Sequence, residues 1–176
     1  NPFPSVMGRV CPAPCESGCN RNEVEDFVGI NSVEHFLGEY AIANQLAYPK
    51  AEKQSGKTVA VIGGGPAGLS AAYQLARKGH AVTIFAELGG MMRYGIPGFR
   101  TPRAVLDAEI QRILDLGVAV RNKVRIGTDI TMDEIRAQFD AVFLGLGAQS
   151  GRPLPVEGAE APNCVTATAF LKAFND

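Results

Sequence analysis

The sequence predicts an α/β fold, a parallel sheet flanked by helices, preceded by a separate cysteine-rich segment. Three observations carry that prediction. From Thr58 onward, short apolar runs alternate with amphipathic helical patterns, as βαβ units do. The glycine loop Gly63-Gly64-Gly65-Pro66-Ala67-Gly68 falls where the first apolar run meets the first helical pattern. Cys11, Cys15 and Cys19 stand at C-x3-C-x3-C spacing in an opening stretch that lacks the alternation altogether.

Taken in order, residues 1–30 are rich in Pro, Gly and Cys and show neither helical nor strand periodicity. They read as a loop held by a metal cluster and not by a core. From Asn31, the residues Val33, Phe36, Leu37, Tyr40 and Ala41 recur at helical spacing, and Asn31 with Glu34 has the offset of a capping box. Pro49 and the polar run 50–57 follow as a linker. Thr58 to Ile62 is a strand, Pro66 suits a first helical turn, and Leu69 to Lys78 continues that helix until Gly79. Ala81 to Phe85 is a second strand. Thr101-Pro102 opens a helix carrying Val105, Leu106, Ile110, Ile113 and Leu114, which Gly117 closes before a strand at Val118 to Arg121. Thr131 and Glu134 form a capping box ahead of a short helix and the apolar strand Ala141 to Leu146. The division expected is a cysteine segment with its helix at 1–50, a linker at 51–57 and a dinucleotide-type domain at 58–176.

Composition narrows the functions. Of 176 residues, 46% are hydrophobic and 20% charged, which supports one good core. The net charge of -1, with both signs interspersed, offers no basic face for nucleic acid or anionic lipid. No apolar run reaches the length of a membrane span, and Asn1-Pro2-Phe3-Pro4 has no signal-peptide layout. A cytoplasmic protein is expected. The chain opens without Met and reaches Cys11 quickly, which reads as a piece whose upstream part is missing.

The glycine loop points to a dinucleotide. Backbone N–H groups at a helix N-terminus attract a pyrophosphate. Gly63 makes the tight turn, Gly65 admits the phosphate, and Gly68 lets helix and strand pack closely. The same fingerprint serves NAD and FAD. A carboxylate for the adenosine ribose belongs at the end of the second strand, and here Glu87 arrives one step late, after Phe85 and Ala86.

This loop, the stretch Leu88-Gly89-Gly90-Met91-Met92-Arg93-Tyr94-Gly95-Ile96-Pro97-Gly98-Phe99-Arg100 and the strand Asp140 to Gly147 resemble the glutamate synthase small (beta) subunit family, with relatives such as the N-terminal half of dihydropyrimidine dehydrogenase. The resemblance implies a Rossmann-like FAD-binding sheet, the first half of a two-dinucleotide flavoprotein, behind a helical iron-sulfur segment. It assigns Gly63, Gly64, Gly65, Pro66 and Ala67 to the FAD pyrophosphate and Leu88, Gly89, Gly90 and Met91 to the stretch passing the flavin. Arg100 would hold a phosphate or the flavin side, and Ile126 would meet the adenine through its backbone. Relatives have Glu directly after the Phe of the second strand and a longer loop, so a few residues are expected to be missing between Phe85 and Glu87. An unbroken strand there would instead leave Glu87 as the ribose ligand.

Thiolates suit iron-sulfur clusters or zinc. The resemblance implies two [4Fe-4S] clusters whose ligands are shared with an upstream segment, Cys11 and Cys15 in one and Cys19 in the other. Glu34 is either a further ligand or a capping residue. A structural zinc on the three cysteines and His35 is the alternative. Met7 occupies a position that is often Cys in relatives, Cys164 is expected to be a buried thiol, and His80 a turn residue. The function implied is electron transfer from NAD(P)H through FAD to the clusters and then to a partner subunit, possible partners including a glutamate synthase large subunit. NAD(P)H would bind in a further domain, because only one glycine fingerprint occurs. The competing readings are a plain NAD-binding dehydrogenase domain with a zinc segment and a non-catalytic scaffold.

Overall fold

The computed structural model describes residues 1–152 and 154–175. Four parallel strands make the sheet: β1 (Thr58–Gly64), β2 (Ala81–Leu88), β3 (Ala119–Arg121) and β4 (Ala141–Leu144), in the order β3-β2-β1-β4. Alternation along β1 sends Val61 to one face and Ala60 and Ile62 to the other. Helices α4 (Pro66–Arg77) and α6 (Arg103–Leu114) cover the first face. There Leu69, Ala72, Leu106, Ile110 and Ile113 pack on Val61, Val82 and Ile84. Helix α7 (Met132–Gln138) covers the second, with Ile135 against Ile62 and Phe85. Both faces of the central strands β1 and β2 are thus covered by helices, whereas β3 and most of β4 stay exposed.

The capping box at Thr131 forms in full. Its hydroxyl accepts from the Glu134 N–H, and the Glu134 carboxylate accepts from the Thr131 N–H. That backbone hydrogen bond holds the Glu134 carboxyl below its ordinary range.

Residues 1–30 depart from the loop expectation. They fold into α1 (Pro4–Val10), α2 (Pro14–Ser17) and a single 3-10 turn over Asn20–Glu23. Helix α1 shows no periodicity because it is only two turns long and Gly8 interrupts its pattern. Its order comes from tertiary contact, with Phe3 and Val6 buried in the same core as α4 and α6.

Helix α3 (Ile30–Ala43) is present, but its apolar stripe does not face inward. Val33, Phe36, Leu37 and Tyr40 are exposed, whereas Gly38 and Ala41 are buried. A Cβ on Gly38 would collide with the backbone of Ser5, so the bare glycine lets α1 lie directly on α3. The expected Asn31–Glu34 box is likewise absent. The N-cap is Gly29, the Asn31 amide donates to the Gly8 carbonyl at 3.1 Å, and Glu34 accepts from the Asn1 amide at 2.6 Å.

Strand β2 runs unbroken through Ala86 and Glu87, with an irregular register against β1 between Ile62 and Gly64. No helix of the described residues is long and apolar enough to cross a membrane.

Candidate functional site

Strand β1 ends in the glycine loop and delivers it to the start of α4. Gly63 has φ +115°, a conformation that glycine adopts freely. A Cβ on Gly63 would strike the Gly145 carbonyl, and one on Gly68 would strike the Gly63 carbonyl. These two glycines are required by protein packing.

Gly65 differs. It is the N-cap of α4, and a Cβ there would meet only the Gly90 Cα at 3.8 Å, an ordinary contact. No side chain caps α4, and its first residue is Pro66. The N–H groups of Ala67 and Gly68 in that first turn have no intrahelical acceptor. Open space over Gly65 beside uncapped donors fits an oxyanion such as a pyrophosphate.

The second expected stretch is brought to the first. The Gly89 N–H donates to the Gly64 carbonyl at 2.8 Å, and a Cβ on Gly90 (φ +50°) would lie 2.6 Å from the Gly65 Cα. Leu88 pairs with Gly64 across the sheet, and Met91 starts the short helix α5 (Met91–Tyr94). Gly63 to Gly68 and Leu88 to Met91 therefore form one surface. Glu87 is exposed on β2, just before it. Arg100 is exposed in the loop before α6, next to the fully buried Thr101, whose hydroxyl has no hydrogen-bond partner. Ile126 lies on the opposite sheet face, in the cluster of Ile62, Phe85 and Ile135, and bridges to Ile130.

Cys11 and Cys15 are exposed and Cys19 is partly so. Backbone N–H groups of Val28 and then Arg21 hydrogen-bond to Cys19 and lower its thiol pKa, favouring the thiolate that ligates metals. The Cys11 sulfur accepts from the Ala13 N–H at 3.4 Å. Such donors suit thiolates held for soft metals. Among the described residues no three His, Cys, Asp or Glu side chains are gathered to hold a metal. The zinc site of Cys11, Cys15, Cys19 and His35 is thus not assembled. His35 lies 3.8 Å from Glu39, with its Nε2 buried and lacking a hydrogen bond. Cys164 is exposed, not buried, with its sulfur 3.5 Å from the Gly158 carbonyl. His80 follows the Lys78-Gly79 turn, between it and β2, with its Nδ1 2.7 Å from the Ser55 hydroxyl.

Three residues with supporting roles were not singled out from the sequence. Gly145 at the end of β4 donates to the Ile62 carbonyl at 2.7 Å and packs on Gly63 and Gly68. The alternating Leu144-Gly145-Leu146-Gly147 at a strand end was its only signal. Arg93 donates from Nε to the Leu88 carbonyl at 2.7 Å and pairs with Asp107, bracing the Gly89-Gly90 turn from below. Glu109 is fully buried on α6, and burial pushes its carboxyl up to about 7 despite hydrogen bonds from the Ser5 and Val6 N–H groups. An acid at position 109 within the stripe of Leu106, Ile110 and Ile113 is a readable signal.

Two family models match the chain. Residues 1–46 match dihydropyrimidine dehydrogenase domain II, 4Fe-4S cluster, and residues 57–174 match pyridine nucleotide-disulphide oxidoreductase. The NADPH-Fe(3+) oxidoreductase subunit beta of Geobacter sulfurreducens is 44% identical over 165 residues, covering 90% of this chain and 25% of that protein. The glutamate synthase [NADPH] small chain of Mycobacterium tuberculosis is 42% identical over 175 residues, covering 97% of this chain and 36% of that protein. The chain thus spans a quarter to just over a third of these relatives. The structure of FprA from Mycobacterium tuberculosis in complex with NADPH superposes with a TM-score of 0.63 at 22% identity, over 68% of this chain and 29% of that one, a likeness of fold. With 57–174 matched by a single model, this chain belongs to the pyridine nucleotide-disulphide oxidoreductase family, and it is similar to glutamate synthase small chains.

Proposed function

We propose that this chain is the FAD-holding and cluster-bearing part of a cytoplasmic NAD(P)H-dependent electron-transfer flavoprotein that delivers electrons to a partner subunit. The open space over Gly65, beside the uncapped start of α4, carries the reading. When bound, FAD supplies acceptance of a hydride and release of its two electrons one at a time. The N–H groups of Ala67 and Gly68 hold the pyrophosphate, and Glu87 accepts the ribose hydroxyls. Leu88 to Met91 form the wall beside the flavin, Arg100 supplies a cation to it, and Ile126 meets the adenine with its backbone. Cys11 and Cys15 bind one [4Fe-4S] cluster and Cys19 the other, with Glu34 the further ligand to the first. The remaining thiolates come from outside these residues, as does the pyridine-nucleotide site, since one glycine fingerprint serves one dinucleotide.

The names of the two relatives, a subunit beta and a small chain, support a subunit that works with a partner. A domain at 1–50 for the clusters and one at 58–176 for FAD follow from the same assignment. The visible absorption spectrum of the purified full-length protein, which supplies the remaining thiolates, tests it. Flavin bands with a broad brown shoulder that bleaches on reduction are expected. Absorbance from neither group would return the chain to the plain NAD-binding reading.

A further inference from the structure

One buried carboxylate lies outside the cofactor surface. Glu109 sits in the apolar stripe of α6 and is fully buried. One of its oxygens accepts the Ser5 N–H at 2.7 Å and the other the Val6 N–H at 3.0 Å. Ser5 and Val6 belong to the first turn of α1, and Val10 at its end is followed directly by Cys11, whose N–H closes on the Met7 carbonyl. A helix of this length spans about 10 Å. Glu109 therefore holds one end of a short rigid arm that has Cys11 at its other end. An apolar residue at position 109 would complete the stripe but leave two buried N–H groups unpaired.

Helix α6 also reaches the cofactor surface. Asp107 pairs with Arg93, which donates to the Leu88 carbonyl beneath the Gly89-Gly90 turn. One helix references both the cysteine arm and the turn. We propose that Glu109 is a positioning residue for electron transfer, fixing Cys11 and the metal centre it holds relative to the dinucleotide-binding domain through α1. The chemistry at Cys11 rests on the function proposed above, whereas the anchor rests on geometry alone.

The test compares Glu109→Ala and Glu109→Gln in the holoprotein. For the Ala variant, FAD content and flavin bleaching by NAD(P)H are expected to stay within about twofold, while reoxidation of the reduced flavin by the iron-sulfur centre slows about tenfold in stopped-flow absorbance. Hydrogen exchange at the Ser5 to Cys11 amides should rise about tenfold. The Gln variant keeps one acceptor oxygen and should fall between, and it carries the comparison if the Ala variant does not fold. Unchanged exchange over Ser5 to Cys11 in a folded variant overturns the anchor. Raised exchange with unchanged flavin reoxidation overturns the positioning role, as does a parallel loss of FAD, flavin reduction and melting temperature. Wild-type protein lacking flavin or iron absorbance refutes the proposed function and the electron-transfer role with it, while exchange in that same protein and its variants still decides the anchor.

Discussion

Gly65 and Gly68 lie one helical turn apart, yet the missing side chains serve different ends. Gly65 has φ -80°, which any residue adopts, and faces open space, so nothing in the protein forbids a methyl group there. Gly68 lies under the Gly63 carbonyl. Gly65→Ala is therefore expected to leave urea stability within about 0.5 kcal/mol and to weaken FAD binding about tenfold or more, near 1.4 kcal/mol, by titration of flavin fluorescence. Gly68→Ala should destabilise by about 1–3 kcal/mol through overpacking. Equal stability losses in the two variants would mean that Gly65 too is a packing glycine. Both were legible in the loop motif, because strand, glycines and helix are adjacent in sequence. The roles of Gly145 and Arg93 were not, because each acts on a loop reached only through the folded sheet.

Helix starts show the same contrast. Thr131 and Glu134 satisfy each other locally, so the sequence is enough to find them. Thr131→Ala should cost about 1 kcal/mol in urea unfolding. A loss near zero would show that the box contributes nothing measurable. Asn31 and Glu34 have the same spacing but are drawn to Gly8 and Asn1, partners that exist only once α1 has docked on α3. The stripe on α3 misleads for a related reason: the contact with α1 needs close backbone approach, and Gly38 and Ala41 provide it while the larger apolar residues point outward. Helix α1 was illegible because seven residues around a glycine carry little local preference. Its leading N–H groups, of Ser5 and Val6, find their acceptor 104 and 103 residues away.

Across the whole molecule, the central strands of the alternating sheet were readable because burial on both faces leaves near-continuous apolar runs in β1 and β2. The joint between the cysteine segment and that sheet was not, since Phe3 and Val6 enter the core from a segment without periodicity and its buried polar anchor is an acid in an apolar stripe. That acid gives the molecule a pH dependence. Asp140, held down to about 2 chiefly by its hydrogen bond from Lys57, contributes stability above its ordinary 3.8 that is lost only as pH falls through about 2. Glu109 works in the opposite sense. Desolvation raises its carboxyl from 4.5 to about 7, outweighing the Ser5 and Val6 N–H groups and the nearby Arg112 and Arg9. Between these values the folded chain keeps a proton that the unfolded chain has lost, so stability must fall as pH rises. The contribution is fully present below 4.5 and is gone once pH passes about 7, a change on the order of 3 kcal/mol. Urea midpoints measured from pH 4.5 to 8 should therefore decline in the wild type relative to the Glu109→Gln variant, which has no proton to lose. Parallel curves for the two proteins would show that Glu109 titrates alike in the folded and unfolded states and that its burial carries no such penalty.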